Sequence, residues 1–450
     1  MRSRVLIQFP GLGGYMPGIL ARLDSDLEAA RAVLTQVDQV AAEYRLDGVA
    51  GPLTDPNGPS IDELAEIPAR LHLASFTSAY LLYDALRSKG FKDDVLLGHS
   101  TGEITALAAG GALSVSDAAR VLCEREKALD DLGLLGGLVA VNTGRTRAEH
   151  LCRASGGWSL TVSLTNSPTQ SVISGSAEDL PRCEAVARAA GIQATRLLVR
   201  YPHHNSLLRP AALRVAEAAV DYGIKDPAVR IYSPILGRFV TSASDARHVV
   251  NWHLTDPVRY LEALRTLYDE HDIREVVEVG ARSVLTESAR ETLPAEAKLL
   301  GPPPNMADTQ EIIEFLLNGK DSGVAAPRPI PLDQSMLKRD SAAQKVAATP
   351  SIVDTATISG GPVVPKHDEL IAKLRRTFAD AVGYPEDVFT DDAHLEADLG
   401  IASVKKTELL VNLLDEYQLQ TPPADLRMRD YTTLPQLAGL IEMLAAGDTP

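Results

Sequence analysis

Cysteine is scarce in this chain of 450 residues: Cys123, Cys152 and Cys183 are the full set. An odd count without C-x-x-C spacing excludes a complete disulfide framework and offers no zinc pattern, so no metal is expected and the thiols read as free or buried in a reducing cytosol. Long apolar runs are also missing. The most apolar stretch, Leu132 to Val141, is broken by glycines and reaches roughly half of a membrane span. After Arg2 and Arg4 the N-terminus offers only Val5-Leu6-Ile7, too little for a secretory signal. Basic residues are outnumbered, with 44 Lys and Arg against 60 Asp and Glu for a net charge of −16, and no run of five basic residues occurs. That balance argues against binding a phosphate backbone. The expectation is a cytoplasmic protein that touches neither membrane nor nucleic acid.

What is present is ordinary globular material, 45% apolar, long enough for roughly two to four domains. The charge is uneven. Residues 366–450 hold 8 Lys and Arg against 16 Asp and Glu, so about a fifth of the chain carries half of the net charge. This marks a separate acidic module. Between 319 and 365 the sequence turns rich in Ala, Pro, Ser, Thr and Gly and loses apolar periodicity, which reads as a flexible linker. The expected domains are therefore 1–318, a linker 319–365, and a C-terminal domain 366–447.

Residues 1–318 alternate strand-like and helix-like segments, which favours an α/β sheet domain. Val5 to Phe9 and Asp94 to Leu97 read as buried strands, while 61–88 and Glu103 to Gly110 read as helices. From about 136 to 202 the order becomes βαββαβ, ending on a strand Thr195 to Val199, the pattern of a ferredoxin-like subdomain inserted in the larger one. Residues 366–447 read as helices alone: Asp368 to Val382, a second from Ser403, and a third from Pro435 to Ala446.

Val95-Leu96-Leu97 runs into Gly98-His99-Ser100-Thr101-Gly102 and then a helix, the strand-turn-helix setting of a G-x-S-x-G nucleophile elbow. Glycine is needed at both ends because the backbones approach too closely for a Cβ, and the turn lifts the Ser100 hydroxyl over the strand end. The helix N-terminus offers the Thr101 N–H and a positive dipole end to a developing oxyanion. Such a serine needs a base, usually histidine. Spacing does not choose among the ten histidines. His203 and His204, in Tyr201-Pro202-His203-His204-Asn205, follow the last strand of the inserted subdomain, at a junction where a cleft would lie.

These residues carry a family resemblance. Phe9-Pro10-Gly11 with Gly13, Gly98 to Glu103, Arg125 within Cys123 to Lys127, and Asn166-Ser167-Pro168 occur in register. So do Pro202 to Leu208, Asp256-Pro257-Val258-Arg259 and Glu278-Val279-Gly280. The set resembles the malonyl-CoA:acyl-carrier-protein transacylases and the acyltransferase domains of polyketide synthases. The resemblance implies an α/β-hydrolase-like core with an inserted ferredoxin-like subdomain. It implies Ser100 as nucleophile, His204 as base, and the backbone N–H groups of Leu12 and Thr101 as oxyanion donors. It also makes His203 a pocket-lining position and Arg125 the partner of the free carboxylate of a malonyl-type acyl group, where a bare sequence reading would put a solvated helix residue. The implied reaction moves an acyl group from coenzyme A through an acyl-Ser100 ester to a phosphopantetheine thiol. The chain departs from the family at Leu12 and Tyr15, where glutamines are usual, and lacks another glutamine near Leu71 and His72. Asn251 to Leu254 stands where the family supplies a backbone carbonyl to the catalytic imidazole.

Leu395 to Val404 resembles the attachment motif of acyl carrier proteins, which implies an all-α carrier bundle with covalent 4′-phosphopantetheine on Ser403, added by a phosphopantetheinyl transferase. Read plainly, Ser403 is a helix N-cap. Ala402 departs from the usual aspartate, and Lys405 and Lys406 are unusual on an acidic face. The expected function is an acyltransferase fused to a carrier, handing acyl units to a partner ketosynthase or polyketide synthase module. Two alternatives stand beside it: a hydrolase that edits carrier-bound thioesters, and a carrier or docking protein with a degenerate transferase half.

Overall fold

The computed structural model describes residues 4–319, apart from 22–26, 198, 282, 304–305 and 307–308. Beyond these it describes 365–382, 386–395, 399, 401, 406, 409–410, 413–414, 417, 419 and 431–446. Most of the expected linker, and Ser403, Ala402 and Lys405, lie outside these residues.

The described strands are β1 (Arg4–Phe9), β2 (Val95–Gly98), β3 (Gly136–Val141), β4 (Thr161–Ser167), β5 (Gln170–Ser176), β6 (Ala194–Arg196), β7 (Ile231–Ser233), β8 (Arg238–Val240), β9 (Ile273–Glu278) and β10 (Lys298–Leu300). Six of them form one sheet in the order β10-β9-β1-β2-β7-β8, parallel except for the β7–β8 pair. β1 lies in the middle of the sheet and is buried from Val5 to Phe9, an apolar run interrupted only by Gln8, as expected of a strand covered on both faces. The expected α/β class is the observed one.

β3 to β6 make a second, antiparallel sheet in the order β4-β5-β3-β6, the ferredoxin-like arrangement. Its alternation assigns the two faces. Val139, Val141 and Ile173 pack with Leu151 and Cys183 of the helices Arg145–Ala154 and Leu180–Ala189. Leu138, Ala140, Leu164 and Val172 join the core of the larger sheet instead, so the subdomain is docked through an apolar face.

Two boundaries differ from expectation. The single helix read over 61–88 is two, Ile61–Ala65 and Pro68–Ser88, because Pro68 lacks an amide donor and starts a helix better than it continues one. The last subdomain strand is shorter, Ala194–Arg196 rather than Thr195 to Val199. At the C-terminus, the helices His367–Val382 and Leu434–Ala446 share their own core with Phe389, Leu409, Leu410, Leu413 and Leu414. Lys406 is not on an acidic face: it is buried, with its Nζ donating to the Tyr431 carbonyl at 3.2 Å. No helix among the described residues is long and apolar enough to cross a membrane.

The ends of β1 and β2 set up the site. The His99 N–H donates to the Phe9 carbonyl at 3.0 Å, so the loops leaving the two strands abut. A Cβ on Gly98 would fall inside the backbone of Gly102 and Glu103, and one on Gly102 inside the Phe9 carbonyl. Gly102→Ala should therefore lower stability by roughly 1–3 kcal/mol, a fall in melting temperature of about 3–10 °C. Unchanged thermal unfolding would show that the elbow has room to spare.

Candidate active site

Ser100 turns the chain from β2 into the helix Gly102–Ala109 and holds a left-handed φ of +52°. A non-glycine residue in that region carries strain of about 1–3 kcal/mol, so its surroundings must enforce it. Two donors grip its carbonyl: Glu103 N–H at 2.8 Å and His253 Nε2 at 2.8 Å. Glu103 is itself buried and anchored to the neighbouring strand, its carboxyl meeting Ser233 Oγ at 2.5 Å and the Ile235 N–H at 2.9 Å.

His204 faces the serine. Its Nε2 lies 2.8 Å from Ser100 Oγ, and its Nδ1 lies 2.9 Å from the Asp256 carbonyl. A carbonyl only accepts, so Nδ1 carries the proton and Nε2 presents its lone pair to the hydroxyl. His204 is also left-handed, φ +56°. The next residue braces it: Asn205 Nδ2 donates to the Ser159 carbonyl at 2.8 Å and to Ser174 Oγ at 3.0 Å, and its N–H to the Leu254 carbonyl at 3.2 Å. Burial above all, then the neighbouring His203, pushes the His204 pKa down to about 3. The imidazole is therefore a neutral acceptor in the resting site.

The carbonyl partner is Asp256, beyond the segment Asn251 to Leu254 in which it was expected. That segment supplies His253 instead, as the donor to Ser100. His253 Nδ1 is buried without a hydrogen-bond partner, and burial holds its pKa well below the ordinary value, so the ring is neutral and protonated at Nε2. His99, inside the motif but given no role from sequence, has its Nε2 2.9 Å from Asn166 Oδ1 and links the nucleophile turn to β4 of the inserted sheet.

Leu12 starts the short 3₁₀ turn Leu12–Gly14 after β1. Ser75 Oγ donates to the Leu12 carbonyl and Ser78 Oγ to the Gly14 carbonyl, both at 3.1 Å, which fixes this loop beside the elbow. Arg125 is 2% exposed on the inner face of the helix Val115–Leu132, not solvated as a bare reading would have it. Its Nε and Nη1 have no partner, and its Nη2 is 3.9 Å from Glu126 Oε1. Burying a guanidinium with unmet donors is costly, so the position calls for an anionic ligand.

Glu126, beside it, is buried as well. Burial pushes its carboxyl up, but His72 first and then Arg125 and His203 hold it down at about 2. His72 Nε2 is 3.2 Å from Glu126 Oε1, an ion-pair distance without hydrogen-bond alignment, and His72 Nδ1 is 3.1 Å from Thr101 Oγ1. His203 is partly buried, with its ring edge to Tyr201, and desolvation drives its pKa down to about 4. The structure thus brings Ser100, Thr101, Arg125, His203 and His204 into one neighbourhood. Sequence reasoning missed Asp256, His253, Asn205 and the His72–Glu126 pair. Asp256, Asn205, His253 and Glu126 all sat in segments already quoted, but nothing in the sequence set Glu126 apart from its charged neighbours.

The chain as a whole is similar to known proteins. The family described as "Acyl transferase domain" matches residues 9–324, and "Phosphopantetheine attachment site" matches residues 372–441. The chain is 27% identical over 295 residues to the non-reducing polyketide synthase fsr1 of Gibberella fujikuroi, covering 64% of this chain and 13% of that protein. It is 29% identical over 301 residues to the polyketide synthase GfsB of Streptomyces halstedii, covering 65% and 5%. It therefore spans only a small part of these relatives. The malonyl CoA-acyl carrier protein transacylase of Coxiella burnetii shares the fold at a TM-score of 0.63 and 23% identity, over 71% of this chain and 99% of that one. The acyltransferase domain from module 8 of the salinomycin polyketide synthase superposes at 0.59 with 28% identity, over 66% and 70%.

The His204 geometry has a direct spectroscopic consequence. A histidine with an ordinary pKa near 6.5 is doubly protonated at about pH 5, but one depressed by burial stays neutral there. Nitrogen NMR of the imidazoles at that pH should show His204 neutral and protonated on Nδ1. A doubly protonated His204 would contradict the buried, carbonyl-paired ring.

Proposed function

Because the chain belongs to the acyl transferase domain family and carries a phosphopantetheine attachment domain after it, we propose that it transfers a malonyl or substituted malonyl group from coenzyme A to a carrier protein, for polyketide or related biosynthesis. The observation that carries this reading is the Ser100–His204–Asp256 chain of contacts set beside a buried guanidinium with unmet donors.

In the first half-reaction His204 Nε2 takes the Ser100 proton as Oγ attacks the thioester carbonyl. The Leu12 and Thr101 N–H groups receive the oxyanion. Collapse breaks the carbon–sulfur bond, coenzyme A leaves with the proton returned by His204, and an acyl-Ser100 ester remains. In the second half His204 again serves as base, towards the acceptor thiol. The ester bond breaks, and Ser100 recovers its proton. The Asp256 carbonyl keeps the ring in the one tautomer that serves both halves. Arg125 offers a planar fork to the distal carboxylate, and His203 lines the same pocket.

Phosphopantetheine, when attached, supplies the acceptor thiol. Its attachment point is assigned to Ser403, which lies outside the described residues. The phosphopantetheine attachment match over residues 372–441 and the helical core with Phe378, Phe389 and Leu410 support that assignment. A phosphopantetheinyl transferase and a downstream ketosynthase or polyketide synthase module follow as partners.

Intact-mass analysis of the pantetheinylated protein after incubation with a panel of acyl-CoAs tests this reading. Wild type should gain a malonyl-type mass at Ser100 and Ser403, and Ser100→Ala should gain none at either. Steady release of free acid without transfer would make it a hydrolase, and no labelling of wild type at Ser100 would leave only a carrier. Arg125→Ala should depress loading of dicarboxylic groups by about ten- to a hundredfold, the size of a charge-assisted bidentate contact. Loading of only monocarboxylic groups by wild type would remove Arg125 from its role.

A further inference from the structure

The steps above make no use of His72 and Glu126, yet both are almost fully buried against the groups that do the work. Neighbouring positions on a helix point in different directions, but a buried Arg and a buried Glu with nothing else to bind would close into a hydrogen-bonded pair. Closure would occupy the guanidinium. That has not happened: Arg125 Nε and Nη1 stay unpartnered and Nη2 stops 3.9 Å from Glu126 Oε1. The same oxygen lies closer, 3.2 Å, to His72 Nε2. His72 is fixed in turn, because its Nδ1 meets Thr101 Oγ1 at 3.1 Å and its helix, Pro68–Ser88, also braces the Leu12 loop through Ser75.

We propose that His72 is a specificity-determining positioning residue: by engaging Glu126 it keeps the Arg125 fork open for the carboxylate of a dicarboxylic acyl group. This rests on Arg125 being the carboxylate receptor. Glu126 is then a competitor ligand that the protein carries beside its own receptor, and His72 sets how far it competes. The pair tunes selectivity without touching the acyl group.

The test is a double-mutant cycle on acyl loading at Ser100, comparing malonyl-CoA with acetyl-CoA. His72→Leu frees Glu126 to close on Arg125, so the malonyl-to-acetyl ratio of kcat/KM should fall by about ten- to a hundredfold, mainly through the malonyl KM. His72→Leu/Glu126→Gln removes the competitor and should return the ratio to within roughly threefold of wild type. A merely structural defect would not be rescued by a second buried substitution. The proposal is overturned if His72→Leu leaves the ratio within roughly threefold of wild type, or if the double variant is no better than the single. Should His72→Leu not fold, Glu126→Gln alone must keep or raise the malonyl preference, and a loss of about tenfold overturns it. A wild type without any malonyl preference would instead overturn the reading of Arg125 itself.

Discussion

Everything in the site hangs on the contact between the ends of two adjacent parallel strands, β1 and β2. The backbone passes so close at Gly98 and Gly102 that no Cβ fits, and the chain can leave the sheet only through a left-handed residue. That residue is Ser100. Strain of this kind persists only where the surroundings over-determine it. The Phe9 carbonyl, the Glu103 amide and the His253 ring all meet the turn. Glu103 and Ser233 carry the constraint across to β7, and His99 with Asn166 carries it to the inserted sheet. The nucleophile is thus held by both sheets at once. The inserted sheet grips Asn205, and with it the second left-handed residue of the site, His204.

How much of this was legible in advance follows from which interactions are local. β1 and β2 were readable because a doubly covered strand is a nearly continuous apolar run, broken in β1 only by Gln8, and the elbow because its glycines are a local steric requirement. The βαββαβ order was readable from period alone, and the structure sets its strands in the matching antiparallel sheet. Choosing His204 needed a family resemblance, since 104 residues separate it from Ser100 and no periodicity spans that distance. The Asp256 carbonyl was beyond sequence reasoning because a backbone acceptor has no residue type to advertise it. Glu126 was hidden for a different reason. In Cys123-Glu124-Arg125-Glu126-Lys127 the charges look alike, yet only helix phase decides that Arg125 and Glu126 turn inward while Lys127 turns out.

Charge is partitioned between the two folded parts in a way that composition reported only as a total. Half of the net −16 belongs to the last 85 residues, where an acidic surface suits encounter with a basic patch on a partner. Lys406 does not dilute that surface, because it is consumed by the carrier core and its Nζ is tied to the Tyr431 carbonyl. Its aliphatic stem packs like any other apolar group while its tip finds an acceptor.

In the transferase half the charges that matter are few and buried, and low polarity sets how they act. A surface Arg–Glu neighbour pair contributes little, since water screens it. The same pair out of water has two outcomes of very different consequence: closed, it is inert; held apart, it leaves unmet donors that only another anion satisfies. His99, His204 and His253, around the Ser100 turn, are pushed towards neutrality by the same burial, which leaves the guanidinium, with its Nε and Nη1 unpartnered, as a cation with donors to spare. A neutral imidazole and a guanidinium with unmet donors are thus buried in one neighbourhood. In the proposed reaction the imidazole moves protons without attracting an acyl carboxylate, and the guanidinium attracts that carboxylate without exchanging protons, because it keeps its charge where an ammonium would give it up.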